Sequence, residues 1–185
     1  MSVDDTQRKF IGYLLSLERE GHEARGALAA LRSGLGKDPG QMARVHKHVV
    51  PYLAGESYDD RWYYVTATLF GSFPKHRAGD SLGAAFRPLA FPAKEPKKDS
   101  MGARFVALLN AHRDDVDDHL RHAISLLRAN ERPLDWFRLL DDLLQWDHRE
   151  GRVQLKWARD FYKTGAGQPS FAKSPTQSDV GQEEE

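Results

Sequence analysis

The chain has no cysteine, which excludes a disulfide framework, a thiolate nucleophile and a cysteine zinc site. It also lacks long apolar runs. A bilayer-spanning helix needs about 20 consecutive apolar residues, and the runs here are far shorter. The opening Met1-Ser2-Val3-Asp4-Asp5-Thr6 has no signal-peptide pattern. These features lead one to expect a soluble, cytoplasmic protein. An excess of either charge is missing too: 27 Lys and Arg balance 27 Asp and Glu. Bulk charge therefore gives no reason to expect nucleic-acid binding. There is no GxxxxGK[ST], GxGxxG or HExxH segment, so nucleotide cradling and zincin chemistry have no visible machinery. No cofactor is expected.

What is present is ordinary globular composition over 185 residues, 40% hydrophobic and 29% charged. That length suffices for one domain or two small ones packed together. The neutral total hides charged blocks. Residues 75–104 carry net +4, 113–147 net −4, 149–163 net +3 and 165–185 net −3. The pattern permits contact with a polyanion, although the total does not demand it.

Periodic segments read as helix throughout, and no strand survives. Phe10, Ile11, Leu14, Leu15 and Leu17 recur at three and four within 5–20. Helices follow at 23–33, from Asp38-Pro39 to Val50, and at 58–72. A short one is capped by Asp80 or Ser81 and ends before Pro88. Residues 88–100 hold three prolines and four Lys or Glu and read as a mobile loop dividing the chain. Beyond it, helices are expected from Ser100 to His112, after an Asp114 or Asp115 cap, after Pro133-Leu134-Asp135, and over 149–164. The expected architecture is all-α, eight to nine helices in two small packed bundles. Its parts are 1–87, the basic loop 88–100, a second bundle 101–164, and a disordered acidic tail 165–185.

The last helix is the most informative. At about 100° per residue, Arg149, Arg152, Lys156, Arg159 and Lys163 fall in an arc about 80° wide. Val153, Leu155, Trp157, Ala158, Phe161 and Tyr162 occupy the complementary, inward arc. Five like charges along about 20 Å of helix repel unless something anionic neutralises them. That partner is either a phosphate backbone or acids of a neighbouring helix, such as Asp141, Asp142 or Asp147. Lys75, His76, Arg77 and the loop residues Lys94, Lys97 and Lys98 form a second basic cluster suited to phosphate contact without fixed geometry. The aromatics lie mostly on apolar stripes and read as core. Of the eight histidines, His119 and His122 share a face and His112 lies near Asp114 and Asp115. A metal phosphohydrolase could use such ligands, but no matching His-Asp motif accompanies them.

The second half carries a recognisable series. Arg104-Phe105, Leu108-Leu109 and Arg113 lead to Leu120-Arg121 and Ile124, then to Leu134-Asp135-Trp136, Leu139-Leu140, Leu143 and Trp146. It closes on Val-Gln-Leu-Lys-Trp-Ala-Arg-Asp-Phe-Tyr, residues 153–162. This series resembles CasB, the small subunit of the type I-E CRISPR surveillance complex, Cascade, over about 100–164. Ser81-Leu82-Gly83 and the first helix support it more loosely.

The resemblance implies an all-helical, non-catalytic subunit. It implies assembly with a second copy of itself, with the large subunit CasA and with the CasC backbone that carries guide RNA. It implies binding to target and non-target DNA without sequence preference, which stabilises the R-loop and its displaced strand in antiviral defence. The motif-matched bases expected to contact nucleic acid are Arg104, Arg113, Arg121, Arg149, Arg152, Lys156 and Arg159. Arg25, Arg32, Lys75 and Arg77 stand in less closely matched positions. Two departures stand out. The tail after 165 is not covered by the resemblance, and Asp160 sits beside Arg159 as a candidate local partner. A helical protein-interaction module without nucleic-acid contact is the competing reading.

Overall fold

A computed structural model describes residues 3–18, 21–91 and 100–163. Among them the chain forms nine α-helices and no β-strand: α1 (Val3–Ser16), α2 (His22–Arg32), α3 (Ala43–Val49), α4 (Asp60–Ser72), α5 (Leu82–Ala90), α6 (Ser100–Leu109), α7 (Val116–Ala129), α8 (Trp136–Leu144) and α9 (Arg152–Tyr162). The tail expected at 165–185 lies outside the described residues, as does most of the expected loop (92–99).

α4 is the axis of the molecule. Every residue from Trp62 to Gly71 is buried, the polar Thr66 and Thr68 included, so α4 is enclosed on all sides by the rest of the fold. It packs on α2, α3, α7 and α8. Gly71 lets α2 approach: a Cβ there would stand 2.7 Å from the Leu31 Cβ and 2.8 Å from the Arg32 backbone nitrogen. A second group forms where α5 lies along α9, with α6 against α5, α7 and α9. α8 turns back to pack on α1 and α4, and Trp136 meets Phe70 edge-on at 5.4 Å. Helices from the two sides of the 88–100 segment therefore exchange partners, and the buried side chains form one continuous core.

Several ends follow their side chains. Ser81, not Asp80, caps α5 by accepting from the Ala84 amide at 3.2 Å. Asp135 caps α8 by accepting from the Phe137 and Arg138 amides at 3.0 and 3.3 Å. Its other oxygen accepts from the Gly79 amide at 2.8 Å.

Three expectations are corrected. The helix expected from Pro39 to Val50 is broken, with a 3-10 turn over Pro39–Gln41 ending at Met42 before α3 begins. Met42 marks the break: its backbone, at φ −103° and ψ 45°, lies outside the helical region while its side chain stays in the core. Pro88 does not stop α5; it sits inside the last turn, and the Phe91 amide still reaches the Arg87 carbonyl at 2.9 Å. The last helix begins at Arg152, because Gly151 adopts a left-handed φ of 56°.

Candidate nucleic-acid interface

α9 is held by three buried anchors, Val153, Trp157 and Phe161. Phe161 stacks on Phe105 of α6 at 4.1 Å, and Trp157 meets Trp146 at 5.2 Å. Along α5 the backbones nearly touch: a Cβ on Gly83 would stand 2.9 Å from the Trp157 carbonyl carbon. Three side-chain hydrogen bonds help fix the rotation of α9. Asp142 of α8 accepts from Trp157 Nε1 at 2.6 Å and from Lys156 Nζ at 2.5 Å. Asp160 accepts from the Ser81 hydroxyl at 2.5 Å.

This arrangement decides which cations remain free. Lys156 is drawn down to Asp142, whose carboxylate is buried. Burial pushes the Asp142 carboxyl above its usual range, while the hydrogen bonds from Lys156 and Trp157 pull the other way. Lys156 thus neutralises an interior acid, the role weighed in the sequence for a neighbouring-helix partner. Arg152 pairs with Glu150 at 2.8 Å, both exposed, and such a pair is worth only about 0–1 kcal/mol. Asp160, the suspected local partner of Arg159, points instead to Ser81. Arg159 and Lys163 are exposed and have no ion pair among the described residues. Arg149 is likewise exposed and unpaired among them, but it lies in the turn before the helix rather than on the stripe.

The other expected bases divide sharply. Arg104, on the exposed side of α6, has no ion pair among the described residues. It lines a groove of about 340 Å³ with Phe86, Phe105, His119 and His122. Arg25 on α2 is exposed and has no ion pair among the described residues. Arg113 is the clear exception: its side chain is 5% exposed. The guanidinium is stacked 3.7 Å from the Tyr58 ring centroid and 4.8 Å from that of Trp62. It donates to Asp147, to Asp59 at 3.3 Å and to the Tyr58 carbonyl at 2.7 Å. Those contacts join three chain segments and give Arg113 an interior structural role in place of the expected phosphate contact.

Four further bases are engaged within the protein. Arg121 pairs with Asp118 at 3.0 Å. Arg32 Nε donates to the Gly71 carbonyl at 3.1 Å. Lys75 pairs with Glu18 at 3.2 Å, and Arg77 pairs with Asp80. The Lys75 and Arg77 side chains remain half exposed or more.

Two other chemistries can be weighed at the same residues. Gly79-Asp80-Ser81-Leu82-Gly83 has the Gly-x-Ser-x-Gly spacing of a hydrolase nucleophile elbow. No strand precedes it among the described residues, Ser81 is buried, and its hydroxyl caps α5 and donates to Asp160 rather than to a histidine. His112 contacts Asp114 at 3.4 Å, while His119 and His122 line the α6–α7 groove. Among the described residues no three His, Asp or Glu side chains are grouped to hold a metal ion, and no helix is long and apolar enough to cross a membrane.

The fold and the site together define a class: a small all-helical protein with a partly neutralised cationic helix. The family model for CRISPR-associated protein Cse2 matches residues 27–162. A CRISPR-associated protein Cse2 from Thermus thermophilus is 34% identical over 170 residues, covering 89% of this chain and 95% of the relative. The crystal structure of a Cse2-family CRISPR-associated protein, also from Thermus thermophilus, superposes with TM-score 0.73 at 33% identity, covering 85% of this chain and 98% of that one. A chain of a CRISPR RNA-guided surveillance complex has the same fold at 23% identity, with TM-score 0.73, covering 88% of this chain and 94% of its own. The chain belongs to the Cse2 (CasB) family.

Proposed function

We propose that the chain is the non-catalytic small subunit of a type I-E Cascade complex in the cytoplasm. It binds nucleic-acid backbone without sequence preference and stabilises the R-loop and the displaced non-target strand. Its partners are a second copy of itself, CasA, and the CasC backbone with its guide RNA. The observation that carries the reading is the exposed cation row on α9. Arg159 and Lys163 are unpaired among the described residues, Arg152 is held only by an exposed Glu150, and Arg149 precedes them.

Exchange of a DNA duplex for an RNA–DNA heteroduplex is close to balanced. A few backbone contacts to the displaced strand can therefore tip it. Such contacts suit Lys and Arg meeting phosphates, which position a strand without reading bases. The Arg113 and Lys156 ion pairs favour a second reading, in which the basic residues serve the fold and its protein contacts.

The two readings separate in a reconstituted complex. The triple variant Arg149→Glu, Arg152→Glu, Arg159→Glu alters exposed side chains that leave the core intact. It is expected to assemble normally while R-loop formation on target DNA falls at least tenfold. Assembly with unchanged R-loop formation would favour the protein-contact reading.

A further inference from the structure

The outward face of α9 is not purely cationic. Helical periodicity places Leu155 and Tyr162 on the inward arc, yet they are 49% and 52% exposed. At about 100° per residue both flank the Arg152–Arg159–Lys163 row on one side. The reason lies in the width of the cover. α9 is covered by α5, α6 and the α8 side, and these reach Val153, Trp157 and Phe161 but not the edge of the apolar arc. Tyr162 is nevertheless held. Its ring meets Phe161 at 4.8 Å with an interplanar angle of 86°, and Phe91 at 6.4 Å and 63°. Its hydroxyl has no hydrogen-bond partner among the described residues.

A supported, half-exposed aromatic ring beside unpaired cations matches what single-stranded nucleic acid requires. A basic track follows phosphates, and an aromatic ring offers a face on which an unstacked base can lie. In a duplex the bases are already stacked on one another and cannot use that face. We infer that Tyr162 stacks a base of single-stranded DNA whose backbone is held by Arg159 and Lys163, so that this end of α9 selects unpaired strand over duplex. The inference rests on the backbone-binding reading above and adds to it a base-stacking residue.

The test uses the full chain, with a single-stranded oligothymidylate and an abasic strand of equal length and charge as probes, at several salt concentrations. The thymidylate should bind about fivefold or more tightly than the abasic strand, the lower end of what base–aromatic stacking contributes. Tyr162→Ala should abolish that difference without altering the salt slope, because no charge is removed. Tyr162→Phe should preserve it. Arg159→Gln should flatten the salt slope by about 0.7 on both strands. Equal binding of the two strands by the wild type would overturn the stacking role, leave backbone binding standing, and return Leu155 and Tyr162 to protein contact. Absence of binding to either strand would instead sink the backbone reading itself. Thermal melting of each variant separates loss of contact from loss of fold.

Discussion

Gly83→Ala offers a stringent test of how α9 is mounted. Ala is favoured over Gly in a helix by about 1 kcal/mol, so propensity predicts a gain. The structure predicts a loss. A Cβ at Gly83 would overlap the Trp157 carbonyl, standing 2.9 Å from its carbon and 3.1 Å from the Trp157 Cα. The obstacle is backbone, which cannot rotate aside as a side-chain tip can. α5 and α9 must separate, loosening the Phe86–Phe161 contact and the Ser81–Asp160 bond. A gap of 0.5–1 Å forfeits about a quarter to a half of each contact's dispersion energy. Overpacking typically costs about 1–3 kcal/mol, and a rigid wall argues for the upper end. Net of propensity, the variant should lose about 2 kcal/mol. For a chain of this size that lowers Tm by about 4–8 °C. Gly26→Ala in α2 supplies the control: nothing lies within 4 Å of a Cβ there, so it should gain about 0.4–1 kcal/mol. Urea and thermal denaturation followed by circular dichroism measure both. A Gly83→Ala protein at least as stable as wild type would refute the backbone contact between α5 and α9.

Other outcomes follow from the buried polar groups. Arg113→Met should destabilise by about 2 kcal/mol, less than the ~3–5 of a fully buried pair because Asp59 and Asp147 are each 47% exposed and can be hydrated. The salt slope of DNA binding should be unchanged, which equilibrium melting and a salt titration check together. Asp142 is raised above the ordinary carboxylate value of 3.8 in the fold, so its ionisation opposes folding. Wild type should therefore gain stability relative to Asp142→Asn as pH falls through the folded pKa toward 3.8. A relative loss over that interval in acid-range urea titrations would contradict the burial of that carboxylate. Gly71→Ala should be destabilising for the same steric reason as Gly83→Ala, since the Arg32 backbone nitrogen stands 2.8 Å from the added carbon; thermal melting checks it.

Much of the fold could be read along the chain because its signals are local. Ser81 and Asp135 sit where helices start, and the stripes of α7 and α8 recur at helical spacing. What escaped depends on segments distant in sequence. Arg113 sits between a histidine and two aspartates and looks like a surface residue. Only the meeting of Tyr58-Asp59 with Asp147 makes it interior. Asp160 and Ser81 are 79 residues apart, so nothing near Arg159 reveals that its neighbour is occupied. The break at Met42, where φ is −103° and ψ 45°, and the continuation of α5 through Pro88 are backbone features that the spacing of apolar residues does not report. Periodicity shows that α9 has an apolar arc but not how much of that arc finds a neighbour. The exposed positions of Leu155 and Tyr162 are therefore invisible until α5 and α6 are in place.

α8 touches α1 and α4 on one side, and through Asp142 it grips α9 on the other. Mechanically it is a shared strut. α9 is therefore tied to the central helix along two routes, through the Asp142 carboxylate of α8 and through α5 and α6 by way of α7. A ligand held along α9 and a neighbour resting on α1 would thus share α8 as a common footing.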